Sequence, residues 1–293
     1  MEIGFVYPQT ELRGDPDAVR AIGRAAEELG FDSLLAYDHV LGAAHADREP
    51  PLWGPYTEHD PFHDPFVMFA YLAGMTERIQ FATGVLILPQ RQTVLVAKQA
   101  ADLDLLSGER LRLGVGVGWN YVEYDSLGQS FSTRGRRADE QITLLRRLWA
   151  EELIEWTGEF DSIDRATLIP RPNRQIPIWV GGFSEAAFRR GVMLGDGFMY
   201  AGTQDRVLGA LERVRALGAD QQRDMEGFGH EFVALRVGGA AEAAAAAERW
   251  RDAGGTHYAA VSMGLGLDSI DAHLEFMREF MHNVAPRLDL PKS

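Results

Sequence analysis

Cysteine is absent from the 293 residues, which excludes disulfides, thiol nucleophiles and Cys-ligated zinc or iron–sulfur centres. Lysine is nearly absent. Only Lys98 and Lys292 accompany the arginines, so any Schiff-base lysine would have to be Lys98. Positive charge is also short, with 29 Lys plus Arg against 43 Asp plus Glu and a net charge of −14. Without a basic block, binding to duplex nucleic acid or to an anionic membrane surface is not expected. No apolar run reaches the 18 or so residues of a membrane span. The opening Met1–Thr10 has neither a basic n-region nor a long apolar h-region, so no signal peptide is expected and a cytoplasmic location fits. What is present is ordinary globular material, 46% hydrophobic and 25% charged, so disorder is not the reading.

The chain alternates short apolar runs with helical patterns. Ile3–Tyr7 reads as a strand, and Val19, Ile22, Ala26 and Leu29 follow at helical spacing between Asp15-Pro16 and Gly30. Further strands are expected at Ser33–Tyr37, Ile79–Ile87, Leu111–Val117, Ile176–Val180, Gly197–Tyr200, Phe232–Val237 and His257–Met263. Helical patterns intervene at about 66–75, 93–106, 134–150, 184–194, 204–217, 240–253 and 269–283. Eight βα units predict a parallel (β/α)8 TIM barrel with loop insertions at its C-terminal face, as one domain over 1–293. An open doubly wound sheet is the competing α/β architecture. The Ala-rich stretch Ala240–Ala247 reads as an exposed outer helix.

Three connections are long: Leu41–Asp64, Trp119–Thr133 and Glu152–Gln175. The first two follow strands two and four, on the face where a barrel carries its site. Trp53, Tyr56, Phe62 and Phe66 are expected to roof a pocket there.

Asp38-His39 ends strand two, where titratable side chains reach a barrel mouth and suit acid–base work. The plainer reading is a turn cap and a polar neighbour. Gly114 to Asn120 carries a G-x-G-x-G run, but its spacing and the absence of an immediate helix argue against a dinucleotide fingerprint. Glycines there admit a flat ring or phosphate close to the backbone. Gly181-Gly182-Phe183-Ser184 opens a helix and reads either as an anion site or as an ordinary turn with Ser184 as N-cap. His59, Asp60, His63 and Asp64 are not expected to bind a metal, because Pro61 and Pro65 interrupt the helix that would align them. Ser184 lies outside a G-x-S-x-G elbow, which speaks against a hydrolase. Leu145, Leu148 and Trp149 form an apolar helical stripe that belongs to the core, and the role of Arg134, Arg136 and Arg137 stays open between structure and anion contact.

Taken in order, the motifs resemble the luciferase-like monooxygenase superfamily of flavin- and deazaflavin-dependent barrels. The resemblance covers most of the chain. It is carried by Ala36 to His39, Ala82 to Leu86, Leu88 to Arg91, Ala97 to Ala101, Leu106 to Arg110, Gly114 to Asn120, Arg134 to Glu140, Ile178 to Gly182 and Leu194 to Gly197. The similarity is greatest to the subgroup of coenzyme F420-dependent oxidoreductases, with FMN as the alternative cofactor.

That resemblance implies a strand-three bulge with a non-prolyl cis peptide at Gly84–Val85, preceded by Thr83, behind the cofactor ring. It places Asp38 and His39 near the reactive ring, with His39 exchanging a proton and Asp38 orienting it or touching the ring. Gly118, Trp119 and Asn120 would run along the cofactor, and Gly181, Gly182, Phe183 and Ser184 would face its phosphate. F420-dependent sugar-phosphate dehydrogenases carry an acidic catalytic residue where Trp119 stands, so that activity is not carried over. Luciferase subunits have a phosphate-binding arginine where Val117 stands, which favours F420. The expected activity is hydride transfer between deazaflavin C5 and an organic substrate. The alternatives are an FMN-dependent monooxygenase using O2, or a non-catalytic flavin- or deazaflavin-binding protein. The expected partner is a small-molecule substrate, and a homodimer is common among such barrels.

Overall fold

Asp15 caps the first helix as its sequence demands: its side chain accepts from the Asp17 N–H and Pro16 occupies the first turn. Asp64-Pro65, Ser184 and Ser269 start three further helices in the same way. The computed structural model describes residues 1–288. Lys292 and the end of the domain expected over 1–293 lie outside the described residues.

The elements run β1 (Glu2–Val6), α1 (Pro16–Glu28), β2 (Ser33–Ala36), α2 (Pro65–Ala73), β3 (Gln80–Thr83), β4 (Leu86–Ile87), α3 (Thr93–Ser107), β5 (Leu111–Gly116), α4 (Tyr121–Ser126) and α5 (Arg134–Ala150). They continue with β6 (Ile154–Thr157), β7 (Ser162–Ala166), β8 (Ile178–Gly181), α6 (Glu185–Leu194), β9 (Gly197–Ala201), α7 (Gln204–Asp220), β10 (Gly229–Val233), α8 (Ala240–Asp252), β11 (His257–Val261) and α9 (Ile270–Val284). The main sheet is parallel throughout. It closes because β1 pairs with β11 and β3 with β5. Closure excludes the open doubly wound sheet and gives an eight-stranded (β/α)8 barrel, with β3 and β4 as two halves of one strand.

Strand parity divides the core. Leu34, Phe232 and Tyr258 face the helices, while their neighbours Leu35, Val233 and Ala259 face the barrel interior. The expected strand Ile79–Ile87 is interrupted at Gly84–Val85, whose peptide bond is cis. Ala82 aligns with Arg112 but Leu86 with Val115, so this strand carries one extra residue, a bulge.

Three expectations change. The strand placed at Phe232–Val237 lies at Gly229–Val233, because polar Glu231 faces inward and meets Arg112 across the barrel. The Glu152–Gln175 connection holds the antiparallel β6–β7 pair. Its turn is tied to α5 by the Glu140 carboxylate, which accepts from the N–H groups of Glu159, Phe160 and Asp161. The Ala-rich helix is not simply exposed: Ala243, Ala244, Ala246 and Ala247 are buried.

Candidate active site

A cavity of about 690 Å³ opens at the C-terminal ends of the strands. Of the residues singled out from sequence, Asp38, His39, Gly84, Val85, Gly118, Trp119, Gly181, Gly182, Phe183 and Ser184 line it together. Thr83 and Asn120 lie outside the lining. The Thr83 hydroxyl donates to the Gly114 carbonyl at 2.6 Å, binding β3 to β5. The Asn120 side chain accepts from the Val122 N–H and caps α4.

The glycines make room. A Cβ at Gly116 or Gly181 would come within 2.5 or 2.7 Å of a Val85 methyl, so Val85 occupies space that β5 and β8 leave open. Gly182, with φ of 143°, turns the chain in a conformation that side-chain-bearing residues rarely adopt. Ser184 then caps α6 by accepting from the Ala187 N–H, the plain role considered for it. Phe183 carries the Arg206 guanidinium 4.0 Å above its ring. Arg206 also lines the cavity and has no carboxylate partner among the described residues.

His39 sits in a box of rings, at centroid distances of 4.8 Å from Phe62, 5.2 Å from Tyr56 and 5.6 Å from Trp119. Its Nδ1 meets Glu123 at 3.2 Å. Sequence reasoning missed Glu123. The residue belongs to α4 in the long loop after β5, is 1% exposed, and also accepts from the Val40 and Leu41 N–H groups. Its spacing of three from the cap Asn120 is that of a capping box, so the local signal points to a helix start. Burial raises the Glu123 carboxyl, but His39 and the donated hydrogen bonds win and hold it below its ordinary value. With Nδ1 engaged, Nε2 is the nitrogen left for a ligand.

Asp38 does not orient His39. Its Oδ2 accepts from the Ile87 N–H at 2.9 Å and its Oδ1 from Arg91 at 2.7 Å, while Arg91 also reaches Asp64 at 3.0 Å. Burial pushes the Asp38 carboxyl up against the opposing pull of Arg91. Its shown contacts clamp β2 to the bulged strand.

The expected roof is rearranged. Tyr56 lines the cavity and Phe62 packs on His39, but Trp53 is 82% exposed and Phe66, in the first turn of α2, is buried in the outer core. Trp119 closes the gap, packed so tightly on Gly54 that a Cβ there would overlap its ring. His59 pairs with Glu58 at the surface and Asp60 accepts from the Thr57 N–H. At the start of α5, Arg134 lies over Phe131, Arg136 pairs with Glu159 and Arg137 donates to the Arg91 carbonyl, so the contacts shown for these three arginines are within the protein.

A closed parallel barrel with one ligand-sized cavity at its C-terminal mouth, walled by glycine and carrying a fixed histidine, is the architecture of a TIM-barrel enzyme. The family model described as luciferase-like monooxygenase matches residues 1–285, and the chain belongs to that family, whose relatives include F420- and flavin-dependent oxidoreductases and monooxygenases. An uncharacterised protein of Mycobacterium tuberculosis is 36% identical over 202 residues, which cover 66% of this chain and 70% of the relative. An F420-dependent glucose-6-phosphate dehydrogenase of Intrasporangium calvum is 33% identical, covering 66% of this chain and 56% of the relative. Pyrimidine monooxygenase RutA of Allorhizobium ampelinum is 30% identical, covering 71% and 57%. Among solved structures, the monooxygenase RslO1 from Streptomyces bottropensis superposes with a TM-score of 0.79 at 20% identity, over 98% of this chain and 99% of that one. An F420-dependent secondary alcohol dehydrogenase superposes with a TM-score of 0.78 at 16% identity, over 97% and 98%. These likenesses between structures show the shared fold. No helix among the described residues is long and apolar enough to cross a membrane.

Proposed function

We propose that this chain is an F420-dependent oxidoreductase acting on a small organic substrate. The observation that carries the reading is the His39–Glu123 pair at the wall of a glycine-sided cavity. Buried Glu123 fixes the ring through Nδ1, so Nε2 is held toward the cavity as a proton donor or acceptor. When bound, the deazaflavin supplies hydride chemistry at its C5.

The lining suits such a group. Gly84–Val85 would stand behind the ring, Gly118 and Trp119 along its edge, and Gly181 to Ser184 toward a phosphate at the start of α6. Arg206, stacked on Phe183 beside that turn, is the guanidinium placed to meet an anionic tail in a chain of net charge −14. Val117, where luciferase subunits would have arginine, is neutral, and its carbonyl accepts from the Tyr124 hydroxyl. Tyr56, Phe62 and Trp119 exclude water from the imidazole.

The second reading is an FMN-dependent monooxygenase, favoured by the 30% identity to a pyrimidine monooxygenase. Fluorescence titration with F420 and FMN separates the two. F420 is expected to bind, and tight FMN binding with none to F420 overturns the proposal. Single-turnover reduction of an acceptor panel then separates an enzyme from an idle binding protein.

A further inference from the structure

The chain from β2 to the mouth reads Leu34-Leu35-Ala36-Tyr37, and successive side chains on an extended strand point to opposite faces. Leu34 and Ala36 join the outer core, whereas Leu35 and Tyr37 belong to the cluster inside the barrel. On β1 and its extension the same parity sends Val6 inward and Tyr7 outward. Tyr37 is 8% exposed and lines the cavity, next to Gly84, where an added Cβ would lie 3.6 Å from the Tyr37 ring. Its Oη is buried and has no hydrogen-bond partner among the described residues. Val85, Met199, Val233 and Leu235 line the same cavity, and the ring of Tyr56 lies 6.4 Å from that of Tyr37. Buried hydroxyls are nearly always partnered, so one left open on a cavity wall marks the place of a ligand acceptor.

We infer that Tyr37 Oη donates a hydrogen bond to a neutral carbonyl oxygen of the molecule seated on this floor. Neutrality follows from the surroundings. The guanidinium of the lining, Arg206, stands with Phe183 at the start of α7, and an anion enclosed by Val85, Met199 and Val233 would be desolvated without compensation. Burial pushes the phenol well above its ordinary value, which keeps it a donor. The carbonyl belongs to the flat ring of the cofactor or to the organic substrate. The substrate arm rests on the oxidoreductase reading above.

The test compares wild type, Tyr37→Phe and Tyr7→Phe by calorimetric titration with F420, FMN, cyclohexanone and its hydrocarbon counterpart methylenecyclohexane. Tyr7 Oη is also buried and unpartnered but lies in the outer core, so Tyr7→Phe is the control. Tyr37→Phe is expected to weaken a carbonyl-bearing ligand by about three- to tenfold, while methylenecyclohexane is unaffected and Tyr7→Phe changes nothing. A loss on F420 or FMN assigns the ring carbonyl, and a loss confined to cyclohexanone assigns the substrate. The Tm of unliganded Tyr37→Phe is expected to equal or exceed that of wild type, since an unpartnered hydroxyl is removed. Affinities indistinguishable from wild type across the panel, shared absence of binding included, overturn the inference. A Tm lowered by several degrees does the same. If wild type binds neither cofactor, the oxidoreductase reading fails, and cyclohexanone still decides the role of Tyr37.

Discussion

At the N-terminal end of the barrel charged side chains hold the scaffold together, whereas at the C-terminal mouth several polar groups beside the cavity have no such partner. Arg110 donates to the Thr76 hydroxyl and to the carbonyls of Ala73, Thr76, Ser107 and Ile79. Arg174 holds Asp104, and His257 meets Glu2. Arg112 pairs with Glu231 at 2.8 Å inside the barrel and lies 4.2 Å over Trp179. At the mouth, His39 Nε2, Tyr37 Oη and the Arg206 guanidinium have no hydrogen-bond partner among the described residues. The same scaffold holds ionic groups at both ends. The ends differ in what is paired with what: charge meets charge at the N-terminal end, although Arg112 Nε and Nη1 and Glu231 Oε2 lack hydrogen-bond partners, whereas His39, Tyr37 and Arg206 line the C-terminal cavity.

The largest effect is expected at His39. His39→Ala is expected to lower turnover by about 10²–10⁴-fold while Tm and cofactor affinity stay near wild type, with a smaller loss in the same direction for Glu123→Gln. Steady-state rates beside a cofactor titration check this, and unchanged turnover removes the role assigned to the imidazole. The opposite end should respond in stability alone. Arg112→Ala leaves Glu231 buried and unpaired, a loss of about 3–5 kcal/mol. That corresponds to roughly 10 °C in a thermal melt, and the double variant Arg112→Met with Glu231→Leu should recover much of it. A cofactor affinity that collapses in a still-folded Arg112→Ala protein would erase the division between the ends.

His230, also at the N-terminal end, sharpens the contrast through pH. Burial, helped by Arg215, pulls its pKa from 6.5 down to about 4. Below pH 6.5 the unfolded chain takes up a proton that the folded chain refuses. Its contribution is therefore intact above 6.5 and declines as pH falls toward about 4, by up to about 3 kcal/mol. His230→Gln should flatten the decline in Tm between pH 7 and 4.5, and a slope equal to wild type rules His230 out as its source. The smallest expected effect is at Arg206. Arg206→Ala should weaken cofactor binding about two- to fivefold at low salt, and the difference should shrink as salt rises. A salt-independent affinity shared by both proteins would detach Arg206 from the anionic tail.

How much of this was legible in the letters differs between fold and site. Period-two runs and helical spacing are local, and so are caps such as Asp15-Pro16 and Asp64-Pro65, which is why the eight βα units and most helix starts could be read directly. The β6–β7 pair was not legible, because most of its second strand is exposed and Ser162–Ala166 shows no apolar alternation. The shifted boundary of β10 has a non-local cause, since Glu231 can face inward only because Arg112 waits on β5.

Local sequence signals mark where strands end and where glycines permit close approach, and these put Asp38, His39, Gly118 and Gly181 to Ser184 at one mouth. The sequence could also point to the bulge at Gly84–Val85 through resemblance. Which polar groups find partners depends on the closed barrel. It engaged Asp38 with Arg91 and the Ile87 N–H, made Asn120 a helix cap, and brought Glu123 across 84 positions to His39. The reason is physical. Backbone preference and apolar period act over a few residues, but the partner of a buried polar atom is chosen by whichever loop the closed barrel brings within about 3 Å.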